Sequence, residues 1–282
     1  MPIESRDVPI QEETILNIVQ ERTQPTYQFR EAFRDYDASG NDAETLKFPV
    51  PEDDLEGHIV EVDEGSDFPR SELNYDEVAA TRNKYGFEVA ITDEAVRFGR
   101  VDIEAETQAE MGRSQMANID KRAFNLLDAN NNDVTIGNDG EDLDFGAVVE
   151  AYEVLNDDEY NPEMSAIFAG TDAIRDLSLD DSFNRATELG DQLVSDMGPE
   201  VFGEIYNTPV LRTNTGDFGE DEAFMVDMSK YGRYVEWEPW TVESYREDSN
   251  QQWVYQLSGH NGFAVTDAQA CVKLQGGASG GA

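Results

Sequence analysis

The stretch from Gly86 to Asn130, GFEVAITDEAVRFGRVDIEAETQAEMGRSQMANIDKRAFNLLDAN, decides the fold. Phe87, Val89 and Ile91 alternate with Glu88 and Ala90, the period-two pattern of a half-buried strand. Thr92-Asp93-Glu94 then supplies a helix start, and Gly99 a break. Beyond the break Ala105, Ala109, Gly112, Met116, Ile119, Ala123 and Leu127 recur at spacings of three and four, which is one face of a helix. Counted from about Asp102 to Asp128 at 1.5 Å per residue, that helix is roughly 40 Å long. It is expected to be a spine, with Met116 and Ile119 on the inward stripe and Gln115 on the opposite side.

Working outward, the chain of 282 residues with 39% hydrophobic content has enough apolar material for a substantial core. Its charge is unusual: 61 Asp and Glu against 20 Lys and Arg give a formal net charge of -41. Such a balance often marks disorder. Here aromatic residues make up 10% of the chain, and Trp237, Trp240 and Trp253 sit in periodic apolar patterns, so a folded acidic protein is expected. The only lysines are Lys47, Lys84, Lys121, Lys230 and Lys273, and this Arg-biased, acid-rich composition resembles that of salt-in halophile proteins. At molar salt the Debye length is about 3 Å, which screens the self-repulsion. The same charge leaves no basic footprint for reading nucleic acid, so adjacent DNA would be contained and not recognised.

Cys271 is the single cysteine, flanked by Ala270 and Val272, and reads as a buried thiol. The N-terminus MPIESRDVPIQEE lacks the basic and apolar regions of a secretory signal, and no apolar run approaches the roughly 18 residues of a membrane span. A soluble, intracellularly made protein with no membrane partner is expected.

Residues 1–45 read as an arm. Ile15, Leu16, Ile18 and Val19 form one apolar cluster, and Phe29, Ala32, Phe33 and Tyr36 a second, each too small to bury itself without a neighbour. From Lys47 to Tyr85 the pattern is a long polar hairpin with arms at Lys47–Val50 and His58–Val62, a tip at Asp63–Arg70 and a return from Tyr75. Pro49, Pro51 and Pro69 disfavour a central sheet, so the hairpin should project. After the spine come a turn at Asn130–Asp133, a short Val134–Ile136 strand, a helix over Phe145–Leu155, a buried strand at Met164–Ala169, a helical turn at Asp172–Leu177 and a helix at Phe183–Asp196. Strands follow at Pro209–Leu211, Ala223–Asp227, Tyr231–Trp237 and Trp253–Leu257, then across Phe263–Leu274, before the tail GGASGGA. The class is α+β, a helix-rich middle enclosed by strands.

No motif demands chemistry. Asp128, Asn130 and Asn132, with Asp139, match four calcium-loop positions, but Asp133 stands where that loop needs Gly, so a helix-ending Asn-rich turn is the preferred reading. Asp37-Ala38-Ser39-Gly40-Asn41-Asp42 is read the same way. Gly277-x-Ser279-x-Gly281 matches a hydrolase elbow as a string, yet no helix follows it. His58, His260 and Cys271 lack the close spacing of zinc ligands. No catalytic residue, metal ligand or cofactor site is assigned, and a non-enzymatic role is expected.

The order of elements, carried by LKFPVPEDDLEG and EVDEGSDFP in the hairpin, KYGFEVAITDEAVRFGRVDIEAETQAEM at the strand-to-spine join, EVFGEIYNTPVLRTN and AFMVDMSKYG, resembles the major capsid proteins of tailed double-stranded DNA viruses of the Hong Kong 97 type. The resemblance implies an N-terminal arm (1–45), an extended loop (46–86), a peripheral domain (87–145 and 227–262), an axial domain (146–226 and 263–275) and a flexible tail (276–282). It also implies self-assembly into pentamers and hexamers of an icosahedral shell around double-stranded DNA bound without sequence specificity. A portal, with scaffolding, cement or turret proteins, would be the further partners. Arm and loop would lie across neighbouring subunits. Some members of the family join subunits through a lysine near the loop tip. Between Val62 and Tyr75 this chain carries only Arg70 as a cation, so non-covalent shells are expected. An encapsulin-type nanocompartment shares the implied fold and is the alternative; a secreted calcium-stabilised binding protein is the more distant one.

Overall fold

The computed structural model describes residues 28–51, 61–62, 74–98, 103–137, 142–157, 160, 165–180, 201–205, 208–213 and 221–276. Its longest helix is α2 (Ile103–Ala129), 27 residues running on from strand β4 (Asn83–Thr92) and the short helix α1 (Asp93–Phe98). The helix has no proline and few β-branched residues, and Glu104 and Glu106 in its first turn complement the positive end of the dipole. Its other end is closed by side chains. Asn130 Nδ2 donates to Leu126 O (3.0 Å), Asn131 Nδ2 donates to Asp128 O (2.9 Å), and Asp133 takes the left-handed conformation at φ 60°. Tyr231 Oη lies 3.1 Å from Leu126 O and 2.9 Å from Asn130 O, tying the helix end to the sheet region. The Asn-rich segment is thus a helix terminator.

Two sheets flank the spine. One has the order β1-β10-β11-β4, from β1 (Arg34–Asp37), β10 (Gly232–Glu247) and β11 (Gln252–Val265) with β4. The other has the order β5-β12-β9-β6-β8-β7, from β5 (Thr135–Ile136), β6 (Ser165–Ala169), β7 (Val201–Ile205), β8 (Thr208–Arg212), β9 (Glu222–Asp227) and β12 (Cys271–Gln275). Strand β6 is buried throughout: Ala166 and Phe168 face the cluster under the spine, while Ile167 and Ala169 face α3 (Phe145–Asp157) and α4 (Thr171–Leu179). A strand covered on both faces needs a continuous apolar run, and Ala166–Ala169 is one, with the small Ser165 buried at its start. A third sheet pairs β2 (Thr45–Pro51) with β3 (Tyr75–Thr81) antiparallel, the base of the expected hairpin.

Several expectations need correction. The spine stripe holds at Gly112, Ile119, Ala123 and Leu127, but Ala105, Ala109 and Met116 are only half-buried, and Gln115, expected on the opposite side, is half-buried too; Gln108, Met111, Asp120 and Phe124 complete the buried face. Burial here widens to two adjoining rows because the sheets cover the helix along different parts of its length. Strand β10 does not stop at Trp237. It continues to Glu247, with register shifts between Glu236 and Thr241 that accommodate Pro239 at an irregularity. Phe29, Ala32 and Phe33 need no second subunit: they are 0%, 0% and 2% exposed within this chain, and β1 follows them directly. The boundary expected at residue 263 falls inside β11, and Thr135–Ile136 pair with β12 in the six-stranded sheet. The predicted helix at 183–196, the loop tip, residues 58–60 of the His58 strand arm, residues 1–27 and residues 277–282 of the tail lie outside the described residues, while Glu61 and Val62 are not in a strand and Gly276 is buried, its N–H donating to Asp221 O.

Candidate assembly surface

The hairpin base is built to leave the body of the molecule. Its seven rungs run from Thr45↔Thr81 to Pro51↔Tyr75, with Pro49 and Pro51 in a strand that has one partner, where a missing N–H is tolerated. Burial along β2 alternates between exposed and half-buried, so one face meets the body through Leu46 and Phe48 and the other meets solvent. The anchor is Trp237, 3% exposed, whose Nε1 donates to Ala43 O (3.0 Å) while its ring packs beside Ala38, Ala80 and Val235. Gly262 lies under the end of β3, where a Cβ would stand 2.4 Å from Thr81 O; only glycine permits that approach. Tyr36 on β1 meets Phe48 edge-on at 5.2 Å.

The point where the N-terminal segment meets the body is equally defined. Phe29 stacks against Phe124 (5.3 Å) and Phe224 (5.9 Å), joining the spine to the six-stranded sheet. Arg30 N donates to Asp120 Oδ1 at 3.1 Å, so a spine carboxylate caps the 3-10 turn Phe29–Ala32. Burial pushes the Asp120 carboxyl up to about 7, partly opposed by the Arg30 and Phe29 N–H groups. Arg122, two residues on, lies over Tyr85 (3.8 Å) and Phe263 (5.0 Å) and donates to Asn261 Oδ1 (2.8 Å), fastening the spine to the four-stranded sheet. Sequence reading missed both. An acid next to Ile119 on the apolar stripe was the available signal for Asp120.

The chemistry-bearing residues do not converge. Cys271 is fully buried, and burial pushes its thiol up, away from the reactive thiolate. His260 Nδ1 lies 2.7 Å from Glu238 Oε2 on the adjacent strand; His58 and the Gly277–Gly281 string lie outside the described residues. Among the lysines, Lys47 pairs with Glu77, and Lys273 with Asp128 (2.5 Å) and Glu222 (2.7 Å). Lys230 Nζ sits 4.7 Å above the Tyr160 ring. Bonding to Glu77 raises the Lys47 ammonium, keeping it charged and poorly nucleophilic.

A spine following a strand, two sheets and a two-stranded ribbon form a recognisable whole. The model of the phage capsid protein family matches residues 75–274. The chain belongs to that family. This capsid protein also matches solved structures over most of its length. The chain from Microbacterium phage Oxtober96 aligns at a TM-score of 0.65 and 16% identity, covering 89% of this chain and 91% of that one. The capsid structure of the cyanophage P-SCSP1u aligns at 0.63 and 12%, covering 90% and 89%. The virus-like particle from Pyrococcus furiosus aligns at 0.62 and 9%, covering 93% and 96%. These identities speak to the fold, which is the Hong Kong 97 type. No curated protein matches the capsid protein.

Proposed function

We propose that this capsid protein is the major shell subunit of a tailed double-stranded DNA virus, assembling as pentamers and hexamers into an icosahedral shell. The carrying observation is the hairpin base. It is anchored firmly at Trp237 and Gly262, and the 22 residues 52–73 between its two strands carry nine carboxylates against one arginine. A polar stretch of that length, with Leu55, Ile59, Val60, Val62 and Phe68 interspersed among its carboxylates, offers contacts for other copies to complete. The acidic composition supports a halophilic host, where molar salt makes such a surface compatible with close packing. The role is architectural: genome cargo is enclosed without sequence readout, and a portal and accessory proteins complete the virion.

Negative-stain microscopy of the purified chain in about 2 M salt tests this. Closed shells of uniform diameter are expected, and a purely monomeric population would overturn the reading. Deleting 64–71 should leave a folded subunit by circular dichroism but no normal shells. Wild-type-like particles from that deletion would remove the extended loop from the assembly mechanism.

A further inference from the structure

Strand β1 separates its charges by face. Alternation sets Asp35 and Asp37 on the spine side, where Asp35 pairs with Arg30, and sets Arg34 and Tyr36 on the outer side, where Tyr36 meets Phe48. In the parallel register β1–β10, Arg34 stands directly across from Arg233. Arg34 is exposed and Arg233 half-buried, and neither has a carboxylate within ion-pair distance among the described residues. Like charges directly opposite on neighbouring strands destabilise a sheet. The repulsion is felt: burial first, and then Arg34, lower the Arg233 guanidinium. In a chain with 61 acidic and 20 basic residues, two arginines that face one another and, among the described residues, no acid are out of keeping with the rest of the described surface.

We propose that Arg34 and Arg233 form a docking point for carboxylates of a second copy of this chain, supplied by the acidic stretch between β2 and β3. This inference rests on the shell-forming reading above. Residues 52–73 contain Glu52, Asp53, Asp54, Glu56, Glu61, Asp63, Glu64, Asp67 and Glu72 against the single cation Arg70. A carboxylate bridging the two guanidiniums converts their mutual repulsion into two charge-assisted hydrogen bonds. Subunits carrying -41 each repel wherever acidic surfaces meet, so contacts between copies must form where one copy offers cations. Duplex DNA fits less well, because two arginines on so acidic a body make a small footprint for a phosphate backbone.

The test measures the protein concentration giving half-maximal shell formation, by sedimentation of the full chain at fixed salt. R34A/R233A should raise it about tenfold or more, while R34K/R233K should stay within about twofold because the charge is kept. The unfolding midpoint of the unassembled alanine variant should be unchanged or higher, since a repulsion has been removed. Neutralising the partner side with Glu52→Gln, Asp53→Asn, Asp54→Asn and Glu56→Gln should weaken assembly, and combining it with R34A/R233A should add little, as for two sides of one contact. Assembly of R34A/R233A at the wild-type concentration would overturn the proposal. So would fully multiplicative effects, a lowered unfolding midpoint with intact assembly, or arginine-dependent retention of duplex DNA by the unassembled subunit. Absence of shells from the wild-type chain would overturn the shell-forming reading itself.

Discussion

Asp120 is 1% exposed on a helix whose neighbours Ile119, Ala123 and Phe124 are apolar, and it holds the start of the described N-terminal segment through Arg30 N. Its protonated form is the one favoured by burial: the folded value near 7 lies above the ordinary carboxyl range. The sign follows from that direction. The stabilisation is complete below the unfolded pKa near 4 and is lost as pH rises through about 7. The contribution is of the order of 2–4 kcal/mol. Urea midpoints of the subunit at fixed molar salt should therefore fall between about pH 4 and pH 7 and level off above. Asp120→Asn, which keeps an acceptor for Arg30 N and does not titrate, should remove much of that slope. Other raised acids, such as Glu222 and Glu236, contribute to both proteins equally, so the difference between the two curves reports Asp120. Identical curves would show that the dependence arises elsewhere.

At the scale of the element, the spine predicts an asymmetric response to a new charge. Ile119 is 4% exposed and Met111 1%, so Ile119→Asp or Met111→Asp buries an unpaired carboxylate and should cost more than about 4 kcal/mol, abolishing soluble expression. Asn118→Asp, one residue along on the exposed face, should change the stability derived from urea unfolding by less than about 0.5 kcal/mol. Equal tolerance would mean the helix phase is wrong. The N-terminal segment makes a second test. Gln28 and Phe29 are both buried, so the hold of this segment on the body can be tested at that point. Phe29→Ala, which empties the space between Phe124 and Phe224, should cost about 3–5 kcal/mol.

For the whole molecule, charge and covalency set the behaviour of the shell. Bringing many copies of net charge -41 together is opposed strongly at about 0.05 M salt and weakly at about 2 M, so sedimentation should show shells loosening at the lower concentration. Equal integrity at both would remove charge repulsion as a control on assembly. With Lys47 and Lys273 held in ion pairs and Arg70 alone among the loop-tip residues, the subunits should be joined without covalent bonds. Particles boiled in detergent should run as one band near 31.5 kDa, and a ladder of covalent multimers would refute this.

Local periodicity and local turn chemistry determined the elements. The strand over Phe87–Ile91, the three-and-four spacing from Gly112 to Leu127, the apolar run Ala166–Ala169 and the Asn-rich helix end each depend on neighbours within a few residues, and these elements are present in the structure, although Phe87 itself is exposed and burial within that stretch of strand is found only at Val89 and Ile91. What only the tertiary structure decided depends on contacts between distant parts of the chain. Phe29 and Phe33 look like an arm in need of a neighbour because their partners Phe124, Phe224, Tyr231 and Phe263 lie about a hundred residues or more away. Strand β10 outruns its apolar pattern because β11 pairs with it along both sides of an irregularity at Pro239, giving Tyr245 and Arg246 strand geometry that their own sequence does not demand. Asp120 and the Arg34–Arg233 pair are ordinary surface residues in the linear pattern. Strand register and helix packing bring backbone N–H groups to the one and a like charge to the other, and neither distance is encoded in local spacing.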